Sequence, residues 1–503
     1  MTYSKKFFVL SLILFTNLYA QNTTVIDLDS THQVIRGFGA ANIMPWRDDM
    51  TTEEINTAFG VEDDQIGFSI LRLRIPYDQS EFYLNVPTGR AACSLGVILI
   101  AAPWSPPPSM KTNNDPVGGE LRAIYYDDYA EHLDSFATYM AANGAPIYSI
   151  SVQNEPDISV SYESCDWSAS QMVTFMQNNA SAIGSRVMAP ESFQFRHVMS
   201  DPILNDATAC ANLDIVGGHI YGGGLSPYPL AEEKEKEIWM TEHYTESSHS
   251  GNDWPLALDV GTEMHNVMTA GMSAYVWWYI VRYYGPIADG TYATKGEVTK
   301  RGYIMSQFAR FIRPGDLRVE CDDNPQFGVY LSAYRDSTLS KVAIVAVNTA
   351  PFSRSQTFAF EDGDVEIFTP YVTSGSKSCS EETSILVIND SLDVTLDAQS
   401  VTTFLSGEIV MVNEDPVSFK LYQNHPNPFN RSTRINFEIP EKTFVSLTVH
   451  NLLGQEVDEL AGKEYSAGVH SVTFDASDLA NGIYFYTLRA EDFIDTRRMY
   501  IIK

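Results

Sequence analysis

The chain has 503 residues, 44% of them hydrophobic and 19% charged, with a net charge of −31 and a pI near 4.6. That apolar content builds large cores and excludes wholesale disorder, and the length suggests about three domains. A surface this acidic repels phosphate backbones and anionic lipid, which excludes nucleic-acid binding as a main function. In chain order, MTYSKKFFVLSLILFTNLYAQ opens with Lys5 and Lys6, continues through an apolar run from Phe7 to Phe15, and offers a small residue at Ala20. This is the pattern of a secretory signal peptide, assigned to residues 1–20, and it is too short to span a bilayer.

Residues 21–36 begin with a β-type segment, TVIDLD. From Arg36 to Ile280, eight compact apolar runs alternate with longer amphipathic stretches. The runs are RGFGA, SILRLRI, VILIAAPW, IYSISVQNEP, RVMAPES, DIVGGHIY, EIWMTEHY and SAYVWWYI. Strands apolar throughout suit a parallel sheet buried on both faces. The stretch YYDDYAEHLDSFATYMAANG between the third and fourth runs has helical spacing. Eight such units predict an α/β fold, a (β/α)8 TIM barrel over residues 37–312. The alternative, a doubly wound sheet, lacks a GxGxxG after its first strand.

From about Leu317 the texture becomes short strands and turns, predicting a side β-sandwich over residues 313–407 that the N-terminal segment completes. Residues 408–418 read as a linker and 419–503 as a small all-β domain. The five cysteines show no metal spacing, and Cys321–Cys379 is the one candidate pair, since both sit in polar stretches of one β-rich region.

Two glutamates occupy strand ends, where barrel enzymes carry their chemistry. Glu155 follows the fourth run in SVQNEPD, and Glu242 ends the seventh in WMTEHY. Most acidic residues of this chain are ordinary loop carboxylates, but two at strand ends of one closed barrel form the pair that glycoside hydrolysis needs. One carboxyl must donate a proton to the leaving oxygen and the other must attack the anomeric carbon.

The ordered motifs RGFGA, GFSILRLRI, APWSPPPSM, ISVQNEPD, RVMAPESFQF, DPILND, GGHIYG, WMTEHY, WPLALDV, AYVWWYI, KRGYIMSQFARFIRPG and QSVTTF resemble glycoside hydrolase family 30, in its bacterial glucuronoxylanase branch. The resemblance covers about residues 24–406. It implies a barrel with a side β-domain, Glu155 as acid/base and Glu242 as nucleophile. It further implies that Trp104 is a sugar platform and that Asn154, His219, Tyr221 and Tyr244 line the cleft. A core role remains the alternative for Trp104, and a structural one for His219.

In WYIVRYYG, the resemblance places Trp278, Arg282 and Tyr284 at the substrate, with Arg282 pairing the carboxylate of a glucuronic acid branch on xylan. A rigid guanidinium fork suits a carboxylate. A salt bridge within its own loop is the alternative for Arg282. Ser250 is a further helper by position. The sequence departs from the family pattern in a shorter loop at Thr245–Asp253 and in His243, where a small apolar residue is usual.

LYQNHPNPFN, VHNLLGQEV, GIY and RRMYIIK resemble a type IX secretion sorting domain. A carbohydrate-binding module is the competing assignment, without support from tryptophan, since all seven lie before the linker.

The combined expectation is a secreted, monomeric, retaining endo-β-1,4-xylanase. Its partners would be glucuronic-acid-branched xylan and the type IX secretion machinery, with no cofactor and no metal. A branch-indifferent endoxylanase, another family-30 β-glycanase, and a non-catalytic xylan-binding surface protein are the rivals.

Overall fold

The computed structural model describes residues 22–245, 247–361, 365–407, 419–424, 426–491 and 493–503. The segments expected as a signal peptide at 1–20 and a linker at 408–418, and His425 of the sorting motif, lie outside the described residues. No helix among the described residues is long and apolar enough to cross a membrane.

After a first strand, β1 (Thr23–Val34), eight strands form a closed parallel barrel: β2 (Gly37–Ala41), β3 (Ile70–Ile75), β4 (Ile98–Pro103), β5 (Ile147–Ser151), β6 (Arg186–Ser192), β7 (Ile215–His219), β8 (Glu237–His243) and β9 (Ala274–Tyr279). Each apolar run of the sequence supplies one strand, and β9 pairs back onto β2 to close the ring. Helices α1 (Thr52–Phe59), α2 (Val86–Ser94), α3 (Tyr126–Ala142), α4 (Ala169–Asn178), α5 (His197–Asn205), α6 (Ala207–Ala211), α7 (Pro229–Glu233), α8 (Leu256–Thr269) and α9 (Lys300–Ala309) follow the strands. Their starts are written locally. Thr51 with Glu54 and Ser168 with Gln171 close capping boxes on α1 and α4, satisfying backbone N–H groups that a helix start leaves unpaired.

Alternation divides the barrel residues between two cores. Ile70, Ile100, Met188, Ile215 and Trp239 fill the barrel interior. Their neighbours Leu71, Ala101, Ala189, Val216 and Met240 pack outward against the helices. On β3 the inward parity of Ile70 continues through Arg72 and Arg74, both only 1% exposed. Charged residues therefore line the upper barrel where the lower layer is apolar.

The side domain is one ten-stranded sheet that β1 joins from the chain start, antiparallel to β10 (Leu317–Cys321) and parallel to β13 (Arg354–Glu361). Between them in sequence run β11 (Val329–Arg335) and β12 (Val342–Asn348); β14 (Ile367–Ser374), β15 (Ser380–Glu381), β16 (Ile385–Leu386), β17 (Ser391–Leu396) and β18 (Ser400–Ser406) complete the sheet. The sheet rolls until its ends face each other: Phe358 of β13 meets Phe404 of β18 at 5.4 Å, and Phe360 stacks on Phe368 of β14 at 5.3 Å. The sandwich is thus a single rolled sheet with one enclosed core. It is held to the barrel through α9, where the Gln307 amide donates to Thr373 at 2.8 Å and accepts from Thr403 at 2.6 Å.

The C-terminal region forms sheets of three and four strands around a shared apolar core that includes Ile435, Phe437, Leu447, Val449, Tyr486 and Leu488.

The Cys321–Cys379 pairing does not form, and all five thiols are free. Cys321 points into the core of the rolled sheet, whereas Cys379 packs against the barrel-side core beside Arg310, so the two belong to separate interiors.

Candidate active site

Glu155 lies four residues beyond β5 with φ +45°, a left-handed conformation that turns its side chain into the barrel mouth. Its Oε1 is 2.9 Å from His219 Nδ1, and its Oε2 accepts from the Tyr162 hydroxyl at 3.0 Å. Glu242 accepts from Arg72 Nη1 at 2.5 Å on Oε2 and from the Tyr221 hydroxyl at 2.9 Å on Oε1. Both glutamates are buried, at 4% and 6% exposure.

The parity of β8 would aim Glu242 outward with Ile238 and Met240. A register shift between Met240 and His243 re-aims it into the cleft, as bulges beside active sites commonly do. Glu191 is redirected in the same way, by a shift between Pro190 and Ser192 and by its own φ of +58°.

Arg72 ties these groups together. Besides Glu242, its Nη2 donates to Asn154 Oδ1 at 2.6 Å and to Glu191 Oε1 at 2.9 Å. Burial opposes the charge on Glu191, but Arg72, helped by His219 at 3.6 Å, brings its carboxyl down to about 2. Burial also opposes the charge on His219, yet Glu242, Glu155 and Glu191 outweigh it and push the imidazole up to about 9. Burial, joined by the charge of Glu155, raises the Glu242 carboxyl against the pull of His219, Arg72 and Tyr221.

Two cations, Arg72 and His219, therefore face three carboxyls, and one added proton brings the cluster to neutrality. Glu155, His219 and Glu242 each bring a ligand atom within 4.8 Å of the others, a spacing that could hold a metal.

Of the sequence-derived candidates, Glu155, Glu242, Asn154, His219 and Tyr221 converge directly. Tyr244 stands edge-on to Tyr221 at 5.4 Å and faces Tyr284 at 5.3 Å. Trp104 is not an open platform. It is 2% exposed, edge-on to Trp46 at 5.2 Å and 5.7 Å from Trp278, with the Arg72 guanidinium 4.9 Å over its ring. Half-buried Trp46 and Trp278 present indole surface in its place.

Arg282 lies over the rings of Tyr283 and Tyr284, at 4.9 and 6.0 Å, and reaches Asp289 at 3.6 Å. Ser250 is engaged in a turn, accepting from the Asn252 N–H at 3.1 Å, and among the described residues it makes no hydrogen bond to Arg282.

Arg72, Glu191 and Tyr162 escaped sequence reasoning. The signal for Arg72 was a charge inside an otherwise apolar strand, which demands a buried partner. Glu191 carried the same signal near the end of β6.

A closed parallel barrel with two facing carboxylates at its strand ends defines a barrel-type glycoside hydrolase. The chain is 41% identical over 401 residues to a glucuronoxylanase, XynC, of Bacillus subtilis (strain 168), covering 78% of this chain and 93% of that protein. It superposes on a GH30 endoxylanase from Clostridium papyrosolvens C71 with a TM-score of 0.69, at 39% identity over 77% of this chain and 100% of that one. The glycoside hydrolase family 30 subfamily 8 xylanase Xyn30A of Clostridium acetobutylicum matches at a TM-score of 0.71 and 36% identity, again over 77% and 100%. The chain belongs to glycoside hydrolase family 30. Residues 423–503 match the family of secretion system C-terminal sorting domains, which marks the protein for secretion by the type IX route.

Proposed function

We propose that the chain is a retaining endo-β-1,4-xylanase acting on glucuronoxylan, with Glu155 as acid/base, Glu242 as nucleophile and Arg282 receiving the glucuronyl branch. The observation that carries this reading is the approach of Glu155 and Glu242 oxygens to within 4.8 Å. Retaining enzymes hold their carboxyl groups about 5–5.5 Å apart, whereas inverting enzymes leave about 6.5–9.5 Å for a water. The names of the relatives support the substrate class.

In this reading Glu155 protonates the glycosidic oxygen as Glu242 Oε attacks the anomeric carbon. The leaving chain departs with the proton, and a xylosyl ester forms on Glu242. Glu155, now ionised, takes a proton from a water that attacks the same carbon and releases Glu242. Arg72 draws Glu242 toward its ionised form against the burial that raises it, and His219 holds Glu155 in place. Asn154 accepts from Arg72 on its side-chain oxygen, which leaves its amide nitrogen to donate to a sugar hydroxyl. Tyr162, on the Oε2 of Glu155, must swing aside for the leaving oxygen.

The ion pair between Arg282 and Asp289 favours a second reading, in which Arg282 serves its loop and the xylanase ignores branches. Mass spectrometry of products separates the two. Oligosaccharides each bearing one glucuronyl group, from glucuronoxylan alone, support the first. Neutral oligomers from both glucuronoxylan and arabinoxylan support the second. The variant Arg282→Ala should abolish turnover of glucuronoxylan under the first reading and barely change it under the second.

A further inference from the structure

We infer that Asp289 is an internal competitor for the Arg282 guanidinium, a fixed carboxylate that an acidic branch must displace and a neutral branch cannot. This rests on the reading of Arg282 as the branch-binding cation. The two side chains lie at 3.6 Å, beyond the roughly 2.7–2.9 Å of a charge-assisted hydrogen bond, so the pair is electrostatic without a closed fork.

The guanidinium is positioned mainly by aromatic surface, on Tyr283 and Tyr284, and its Nε has no hydrogen-bond partner among the described residues. Asp289 is the better anchored member. Its Oδ1 accepts from the Thr291 N–H at 3.0 Å. Burial raises its carboxyl, but the bond from Thr291, with the charge of Arg282, holds it below its ordinary value.

The backbone fixes the spacing of the two residues. Arg282 N–H donates to Ile287 O at 3.0 Å, and bridges join Val281 to Ile287 and Ile287 to Val298. The loop therefore keeps the anion near the cation. A glucuronyl carboxylate can replace this half-made pair with two parallel bonds to the guanidinium. A hydroxyl of an arabinosyl or xylosyl unit gains too little to do so. Selectivity then comes from a repulsive element beside the attractive one.

The test is steady-state kinetics of Asp289→Asn, which keeps the acceptor for Thr291 and removes the charge. Asp289→Ser serves as a second variant with the same local bond. The expected result is a KM for glucuronoxylan about two- to fivefold lower, the fold-change corresponding to one partly exposed ion pair, with kcat within about twofold. The salt dependence of KM should steepen, because Arg282 then meets the branch with an unshared charge. An unchanged or higher KM in both variants, while Arg282→Ala abolishes glucuronoxylan turnover, overturns the role of Asp289 alone. An Arg282→Ala enzyme that keeps its glucuronoxylan activity overturns the branch reading and this inference together.

Discussion

Replacing Arg72 with methionine asks whether charge holds the carboxylate cluster. Arg72 contacts Glu242 at 2.5 Å and Glu191 at 2.9 Å, and all three side chains are at most 8% exposed. Removing one member of a buried ion pair costs about 3–5 kcal/mol. The titration of Glu191 gives a second route to the magnitude. Its carboxyl falls from 4.5 to about 2, which at ~1.4 kcal/mol per unit corresponds to about 3 kcal/mol, much of it from Arg72.

The sign with pH is specific. In the parent, a depressed carboxyl contributes stability above 4.5 that is lost as pH falls toward 2. In the variant, burial, already the largest single influence on Glu191, loses its main counterweight, and the carboxyl moves up from its depressed value. The variant is therefore least stable near neutrality and recovers part of the loss as pH falls and the carboxyl takes up a proton. Thermal unfolding of parent and variant from about pH 4 to about pH 8 measures this, as a deficit of several degrees at neutral pH that narrows in acid. Xylan hydrolysis should fall by about 10²-fold or more, because Glu242 loses its strongest bond. Equal melting temperatures across the range, or a deficit that grows in acid, would refute the reasoning.

Three further outcomes follow from the geometry. His219, raised from 6.5 to about 9, contributes stability that is complete below 6.5 and lost as pH rises through 9; His219→Gln should flatten that alkaline decline in urea midpoints. Glu155→Gln should lose about 10³-fold on xylan, yet release a burst of phenol from an aryl xylobioside with a good leaving group, since that step needs little acid assistance. A slow, burst-free reaction would argue against Glu155 as the acid. Thiol titration of the unfolded, non-reduced chain should count five groups, and reductant should leave the melting temperature unchanged, because no disulfide joins the cysteines.

The strands of the barrel were legible in the sequence because a strand buried on both faces is apolar throughout, and that property is local. So was the placement of Glu155, Asn154 and Glu242 at the ends of such runs, and of the sorting motif in a stretch rich in Pro and Asn. Tertiary structure alone decided which way the carboxylates point. By simple alternation Glu242 and Glu191 belong on the outside of the barrel, and irregularities between neighbouring strands turn them inward. A closed ring imposes those shifts, so no window of a single strand contains them. The same holds for Arg72, whose partners Glu191 and Glu242 lie 119 and 170 residues away, and for Trp104, which is covered by indoles from the loops after β2 and from β9. Cys321 and Cys379 sit in one β-rich stretch of sequence, yet the rolled sheet assigns them to different cores. Local patterning follows from which faces a segment buries. Site geometry follows from contacts made only when the ring closes.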